Sequence, residues 1–256
     1  MASTQKFSIS ILSVSVIFFV LAIAEVNSQK TVSFDFPKFT SDQSGITIQG
    51  NAEIFPNGIL ALTNPADPKW TTGRVLYATP VPIWDSTSGH VASFVASFSF
   101  SVEDFRGYKP ADGIIFFLAP SDTVIPSNSA GGQLGVVDAN NAFNRFVGVE
   151  FDNFVNQWDP NYAHIGIDVN SLISTKTTTW NRVSGSLVKV NIIYDSLSNT
   201  LSVAATNDNG QISTIAQVVD LKAMLPENVK VGISATTADG RQMQHIHSWS
   251  FTSTLA

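Results

Sequence analysis

Val91-Ala-Ser-Phe-Val-Ala-Ser-Phe-Ser-Phe-Ser-Val102 alternates apolar and small polar residues with a period of two. Phe94, Ala96, Phe98, Phe100 and Val102 fall on one side, and Ser93, Ser97, Ser99 and Ser101 on the other. That is the pattern of a half-buried antiparallel strand, whose successive side chains point to opposite faces. Similar runs occupy 31–36, 186–194, 200–206 and 229–235. A different signal lies at Gly113-Ile-Ile-Phe-Phe-Leu-Ala119, a continuous apolar run between Asp112 and Pro120, which predicts a strand covered on both faces. No segment carries convincing amphipathic helical spacing; Leu221 to Leu225 predicts one short turn, stopped by Pro226. Turn signals at Asn64-Pro65, Pro80-Val81-Pro82, Asn207-Asp208-Asn209-Gly210 and 126–132 punctuate the runs. Many short strands with frequent turns predict an all-β fold, an antiparallel jelly-roll β-sandwich.

Composition narrows the class further. The chain has 256 residues, of which 44% are hydrophobic and 13% charged, with a formal net charge of -6. This apolar content argues against disorder, and the negative balance argues against a nucleic-acid surface. The chain contains no cysteine, which removes thiol nucleophiles, zinc-thiolate sites and iron–sulfur clusters together. At the N-terminus, Lys6 precedes an apolar run from Ile9 to Ala24, and Val26 and Ser28 supply the small residues of a cleavage site. The pattern predicts a signal peptide over 1–28, a mature chain starting at Gln29, and a secreted or vacuolar protein. No second apolar span follows, no Asn-X-Ser/Thr sequon occurs, and no linker or repeat divides residues 29–256, so one domain is expected there.

The densest group of liganding side chains is Glu150-Phe-Asp152-Asn-Phe154-Val-Asn156-Gln-Trp-Asp159-Pro-Asn-Tyr-Ala-His164. With Val147, Val149 and Phe151 on a core face, Glu150 and Asp152 share the opposite face, roughly 7 Å apart along the strand. Two adjacent carboxylates repel unless a cation, a shared proton or solvent relieves them. Three readings fit. The first is a solvated polar loop with an incidental histidine. The second is a pair of glycosidase carboxylates, which retaining enzymes set about 5 to 5.5 Å apart; Asn156 and His164 suit it poorly. The third is a metal centre. Calcium takes six to eight hard oxygen ligands, whereas a set with an imidazole suits manganese or zinc. Glu150, Asp152, Asp159 and His164 form a set of the second kind. Asp152, Asn156, Asp159 and the Phe154 carbonyl form a set of the first. An EF-hand is excluded, because its glycine and bidentate glutamate are missing from the loop. Elsewhere no Gly-X-Ser-X-Gly occurs, and His245 and His247 alternate about Ile246 in a terminal strand, as exposed-face histidines would.

These residues resemble the legume lectins. Glu150-Phe-Asp152 through His164-Ile-Gly-Ile-Asp-Val-Asn-Ser171 is similar to the family's metal-binding signature. Thr31-Val-Ser-Phe-Asp-Phe-Pro-Lys-Phe39 resembles its opening strand, Ala111-Asp112-Gly-Ile-Ile-Phe-Phe-Leu-Ala-Pro120 its central sugar-binding segment, and Ser248-Trp-Ser-Phe-Thr-Ser253 its closing strand. The resemblance implies a jelly-roll sandwich that binds glycans and glycoproteins without turnover and forms dimers or tetramers. It implies manganese on Glu150, Asp152, Asp159 and His164, with Ser174 on a manganese-bound water, and calcium on Asp152, the Phe154 carbonyl, Asn156 and Asp159. Sugar would meet Asp112 and Asn156 through hydroxyls, the Gly132 N–H as donor, and the Phe154 ring as a platform, as the apolar face and polar rim of a pyranose require. The family also places a cis peptide at Ala111-Asp112. The loop Ala235-Thr-Thr-Ala-Asp-Gly-Arg-Gln242 is as short as in mannose/glucose-binding members, whose amides near Asp239 and Gly240 meet the sugar; Ala238 stands where many members have glycine.

Overall fold

A computed structural model describes residues 29–141 and 143–255; the expected signal peptide lies outside them. Six strands open the described chain: β1 (Lys30–Phe36), β2 (Ile46–Gly50), β3 (Glu53–Ile54), β4 (Leu60–Ala61), β5 (Thr72–Tyr77) and β6 (Val81–Pro82). The middle holds β7 (Ser93–Asp104), β8 (Gly113–Pro120), β9 (Val147–Asp152), β10 (His164–Val169) and β11 (Lys176–Thr179). The chain closes with β12 (Leu187–Asp195), β13 (Thr200–Asn207), β14 (Ile212–Val218), β15 (Asn228–Thr236) and β16 (Gln242–Leu255). A single helical turn, Leu221–Met224, follows β14 where it was expected, with the Asp220 side chain accepting from Ala223 N–H as its N-cap.

These strands form two antiparallel sheets. The first runs β14-β13-β12-β7-β16-β4-β3, with β1 beside β16; the second runs β11-β10-β9-β8-β15-β5-β2, with β6 beside β15. The chain crosses between them repeatedly, from β7 to β8, β11 to β12, β14 to β15 and β15 to β16, which is the jelly-roll arrangement. Strand β7 begins at Ser93 rather than Val91, because Val91 is taken by an isolated bridge to Trp84.

The alternation of β7 packs as the sequence predicts. Phe98 stacks against Phe116 at 6.0 Å, and Phe100 meets Phe151 edge-on at 5.0 Å, joining the two sheets through aromatic rings. Burial of such rings is the main driving force of the fold, and their offset or edge-on geometry adds about 0.5–1.5 kcal/mol per pair. The continuous run of β8 is buried from Gly113 to Ala119. Its other face, with Ile115 and Phe117, lies under a second apolar cluster that includes Leu134, Val136, Val137, Phe146 and Leu172. Arg74 is buried in this layer with its guanidinium 4.8 Å from the centre of the Phe117 ring. It donates to Thr123 Oγ1 at 3.0 Å and to the Gly135 carbonyl at 3.4 Å, pinning 121–135 onto the second sheet, and its burial lowers its pKa to about 10. His245 and His247 do face outward, but they are half-buried rather than exposed. Phe55 lies edge-on to His245 at 5.8 Å, and His247 Nε2 is hydrogen-bonded to Ser101 Oγ at 2.9 Å.

Candidate carbohydrate and metal site

Register places the acids. Asp152 on β9 stands opposite His164 on β10 and Gly113 on β8, while Glu150 stands opposite Gly166 and Ile115. All therefore share the outer face of the second sheet, where the apolar layer gives way to charge. Glu150, Asp152, His164 and Asp168 are each almost wholly buried, so the solvated-loop reading fails for the strand residues. Asp168 has the same parity as His164, a period-two signal that the sequence reading passed over.

Such crowding has electrostatic consequences. Burial and the charges of Glu150 and Asp159 push Asp152 well above the usual carboxylate range. Burial and Glu150 do the same to Asp168. Asp159 is also raised, by burial and against the Asn156 N–H that it accepts. Asp112 is pushed up to about 7 by burial and by Asp159. For His164, burial works to lower the pKa, but the Glu150 hydrogen bond and the charges of Glu150 and Asp159 raise it on balance.

The donors gathered here, carboxylates with one imidazole, are of the chemical kinds that divalent cations take. Glu150 Oε1 meets His164 Nε2 at 3.0 Å, and Ser174 Oγ bridges Glu150 Oε1 and Asp168 Oδ1, 2.8 Å from the latter, with one hydroxyl proton between the two carboxyl groups. A Cβ on Gly166 would lie 2.0 Å from Ser174 Oγ and 2.5 Å from Glu150 Oε1, so only glycine leaves this cradle open. Asp112 Oδ2, Asn156 Oδ1 and Asp168 Oδ2 are buried without a hydrogen-bond partner. Among the described residues no three His, Asp or Glu side chains are grouped so as to hold a metal ion; Glu150 and His164 bond each other. Asp152 Oδ1 and Asp159 Oδ2 instead brace the loop, accepting from Phe154 N–H and Asn156 N–H, each at 2.7 Å.

Beside the acids opens a cleft of about 890 Å3. Asp112, Gly132, Phe154, Asn156, Asp239 and Gly240 all line it, so the six expected sugar contacts converge. The Ala111-Asp112 peptide is cis. Gly131–Gln133 forms one 3-10 turn, and a Cβ on Gly132 would reach 2.6 Å from Asn156 Oδ1, which shows how closely that backbone faces the amide. Gly240 is needed for a similar reason, because a Cβ there would lie 2.5 Å from Ala111 Cβ. Lys109 Nζ stands 5.2 Å from the centre of the Phe154 ring. The Asp239 carboxylate accepts from Trp70 Nε1 at 3.2 Å and pairs with Lys69 Nζ at 3.5 Å. Lys109 and Trp70 also line the cleft; neither was read from the sequence, because neither lies in a motif.

A two-sheet jelly roll with an open cleft beside buried acids is the architecture of a class of sugar-binding sandwich, and the comparisons place the chain within it. Residues 31–256 match the legume lectin domain, so the chain belongs to the legume lectin family and is a carbohydrate-binding protein rather than an enzyme. A bark agglutinin homologue of Robinia pseudoacacia is 62% identical, over 96% of this chain and 91% of that protein. The galactose-binding lectin of Arachis hypogaea is 56% identical, over 93% and 89%. Among solved structures, a peanut lectin bound to a nine-residue peptide superposes with a TM-score of 0.85 at 56% identity, covering 89% of this chain and 99% of that one. The family consists of non-catalytic proteins, so the glycosidase reading of Glu150 and Asp152 gives way.

Proposed function

We propose that the protein is a secreted or vacuolar lectin that uses calcium and manganese to hold its sugar-binding loop and recognises glycans and glycoproteins through the cleft around Asp112. What carries the reading is convergence: Asp112, Gly132, the Phe154–Asn156 loop and Asp239–Gly240 come from four separate chain segments to one cleft. Glu150, Asp152, Asp159 and His164 would hold manganese; Asp152, the Phe154 carbonyl, Asn156 and Asp159 would hold calcium. Bound cations neutralise carboxylates that otherwise resist ionisation. Asp112 then accepts from sugar hydroxyls, the Asn156 amide and Gly132 N–H donate, and the Phe154 ring faces the C–H surface of the pyranose. Since Asp152 and Asp159 already fix the loop amides, little ordering entropy remains to be lost on binding.

Mannose and glucose are the sugars we favour, because the loop between β15 and β16 is short. A galactose reading is supported by the 56% identity to the galactose-binding lectin of Arachis hypogaea. Glycan-array binding of the mature protein, before and after chelation, tests both points. Chelation should weaken binding by about 100-fold, and Asp152→Ala should match it; undiminished binding by chelated protein refutes the metal coupling. Arrays lit only by galactose-terminated glycans exclude mannose. We further propose a homodimer or homotetramer, since shallow sites gain through multivalency; sedimentation as a monomer excludes that.

A further inference from the structure

Trp70 departs from ordinary behaviour in three ways. Its side chain is 57% exposed, far more than a ring of that size usually is. Its backbone is left-handed, with φ of 51°, a conformation that bulky residues rarely adopt and that concentrates at ligand-binding positions. And its ring lines the same cleft as Asp112 and Asn156.

The surroundings hold it there. Trp70 N–H donates to the Ala238 carbonyl at 3.1 Å, and Thr71 N–H donates to Thr237 Oγ1 at 3.1 Å. The indole Nε1 donates to Asp239 Oδ1, so the polar edge of the ring is already satisfied. The rest of the exposed ring remains uncovered at the lining of the cleft, and the Asp239 carboxylate that it bonds is paired with the Lys69 ammonium. That hydrogen bond matters because a ring already held before binding loses less rotamer freedom when covered. At about 890 Å3 the cleft lies near the upper end of the range of about 300–1,000 Å3 that takes drug-sized ligands, well beyond one sugar ring.

Resting on the sugar-binding reading above, we propose that Trp70 is the platform of a second subsite, which takes the pyranose next to the one held by Asp112 and Asn156. The neighbouring sugar lays its C–H face on the indole, while its hydroxyls reach Asp239 as acceptor and Lys69 as donor. The protein is thereby selective for oligosaccharides over single sugars, through a residue that no metal-binding or sugar-binding motif contains.

Titration calorimetry on metal-loaded protein tests this, with the methyl glycosides of mannose and galactose compared against trisaccharides ending in the same sugars. Trp70→Ala should lower trisaccharide affinity about tenfold and leave methyl glycoside affinity within about twofold. Trp70→Tyr should recover most of the loss. In the unaltered protein, trisaccharide but not methyl glycoside should protect Trp70 from oxidation by N-bromosuccinimide, read by peptide mapping, which needs no variant to fold. Equal losses for both ligands would overturn the subsite and make Trp70 a support for 237–240. Trisaccharides that bind no tighter than methyl glycosides would overturn the subsite alone. Protein that binds neither overturns the sugar-binding reading as well.

Discussion

On the first sheet, β7 and β12 turn Val95, Asn191 and Ile193 toward solvent, whereas the corresponding outward side chains of β8, Ile115 and Phe117, lie fully buried beneath loops. Both sheets contribute to the central core, and they differ in what covers the far side. Where no loops fold back, the outer face stays open, with Val95 and Ile193 exposed beside Asn191. Where 121–141 folds back, a second apolar layer forms with Leu134, Val136 and Val137, and it ends at the buried acids and the cleft. Binding loops need a rigid floor to hold their geometry, and the covered face supplies one.

The comparison can be broken at several points, beginning with the acids. Asp112 has its folded pKa raised to about 7, so between about pH 4 and pH 7 the folded state binds a proton that the unfolded chain has released. Stability from this group is greatest below the unfolded pKa and is lost as pH rises, by on the order of 4 kcal/mol at full effect. The raised Asp152, Asp159 and Asp168 act in the same direction. Urea midpoints of chelated protein should therefore fall from pH 5 to pH 8, and calcium with manganese should flatten the slope. A midpoint that rises with pH in chelator contradicts the acid cluster as described.

Next comes the floor itself. Phe117→Ala should cost about 3–5 kcal/mol in urea unfolding, as for a fully buried ring. A cost below 1 kcal/mol would mean that the loop layer settles onto the smaller side chain. A smaller effect is expected at Gly132→Ala, whose new methyl meets the movable Asn156 amide rather than backbone. The fold should survive while sugar affinity falls about tenfold, near 1.4 kcal/mol, measurable by calorimetry. Smallest of all is Ile193→Thr on the open face, which should shift stability by less than about 0.5 kcal/mol. A larger loss that depends on protein concentration would show instead that this face is sealed against a second copy.

Much of the difference between the sheets was legible beforehand. Period-two spacing in 91–102 marks a strand with one wet face, and seven unbroken apolar residues from Gly113 mark one with none. The acids were legible for the same reason, because parity sorts Glu150 and Asp152 from Val149 and Phe151. Asp168 obeys that parity and could have been read. Trp70 could not, since its importance lies in a left-handed backbone and a partner 169 residues away, neither of which leaves a local pattern. The two-residue strands β3, β4 and β6 were equally silent, being too short to show a period.

The loop 237–241 joins β15 to β16, and each of these strands runs through the interior of its own sheet, flanked on both sides. A pull applied to that loop is led at once into both sheets. The ladders of β8, β5, β7 and β1 then take the load in shear, with many hydrogen bonds strained together, instead of peeling one edge strand bond by bond. Load on that loop is therefore shared by hydrogen-bond ladders on both sides of β15 and of β16.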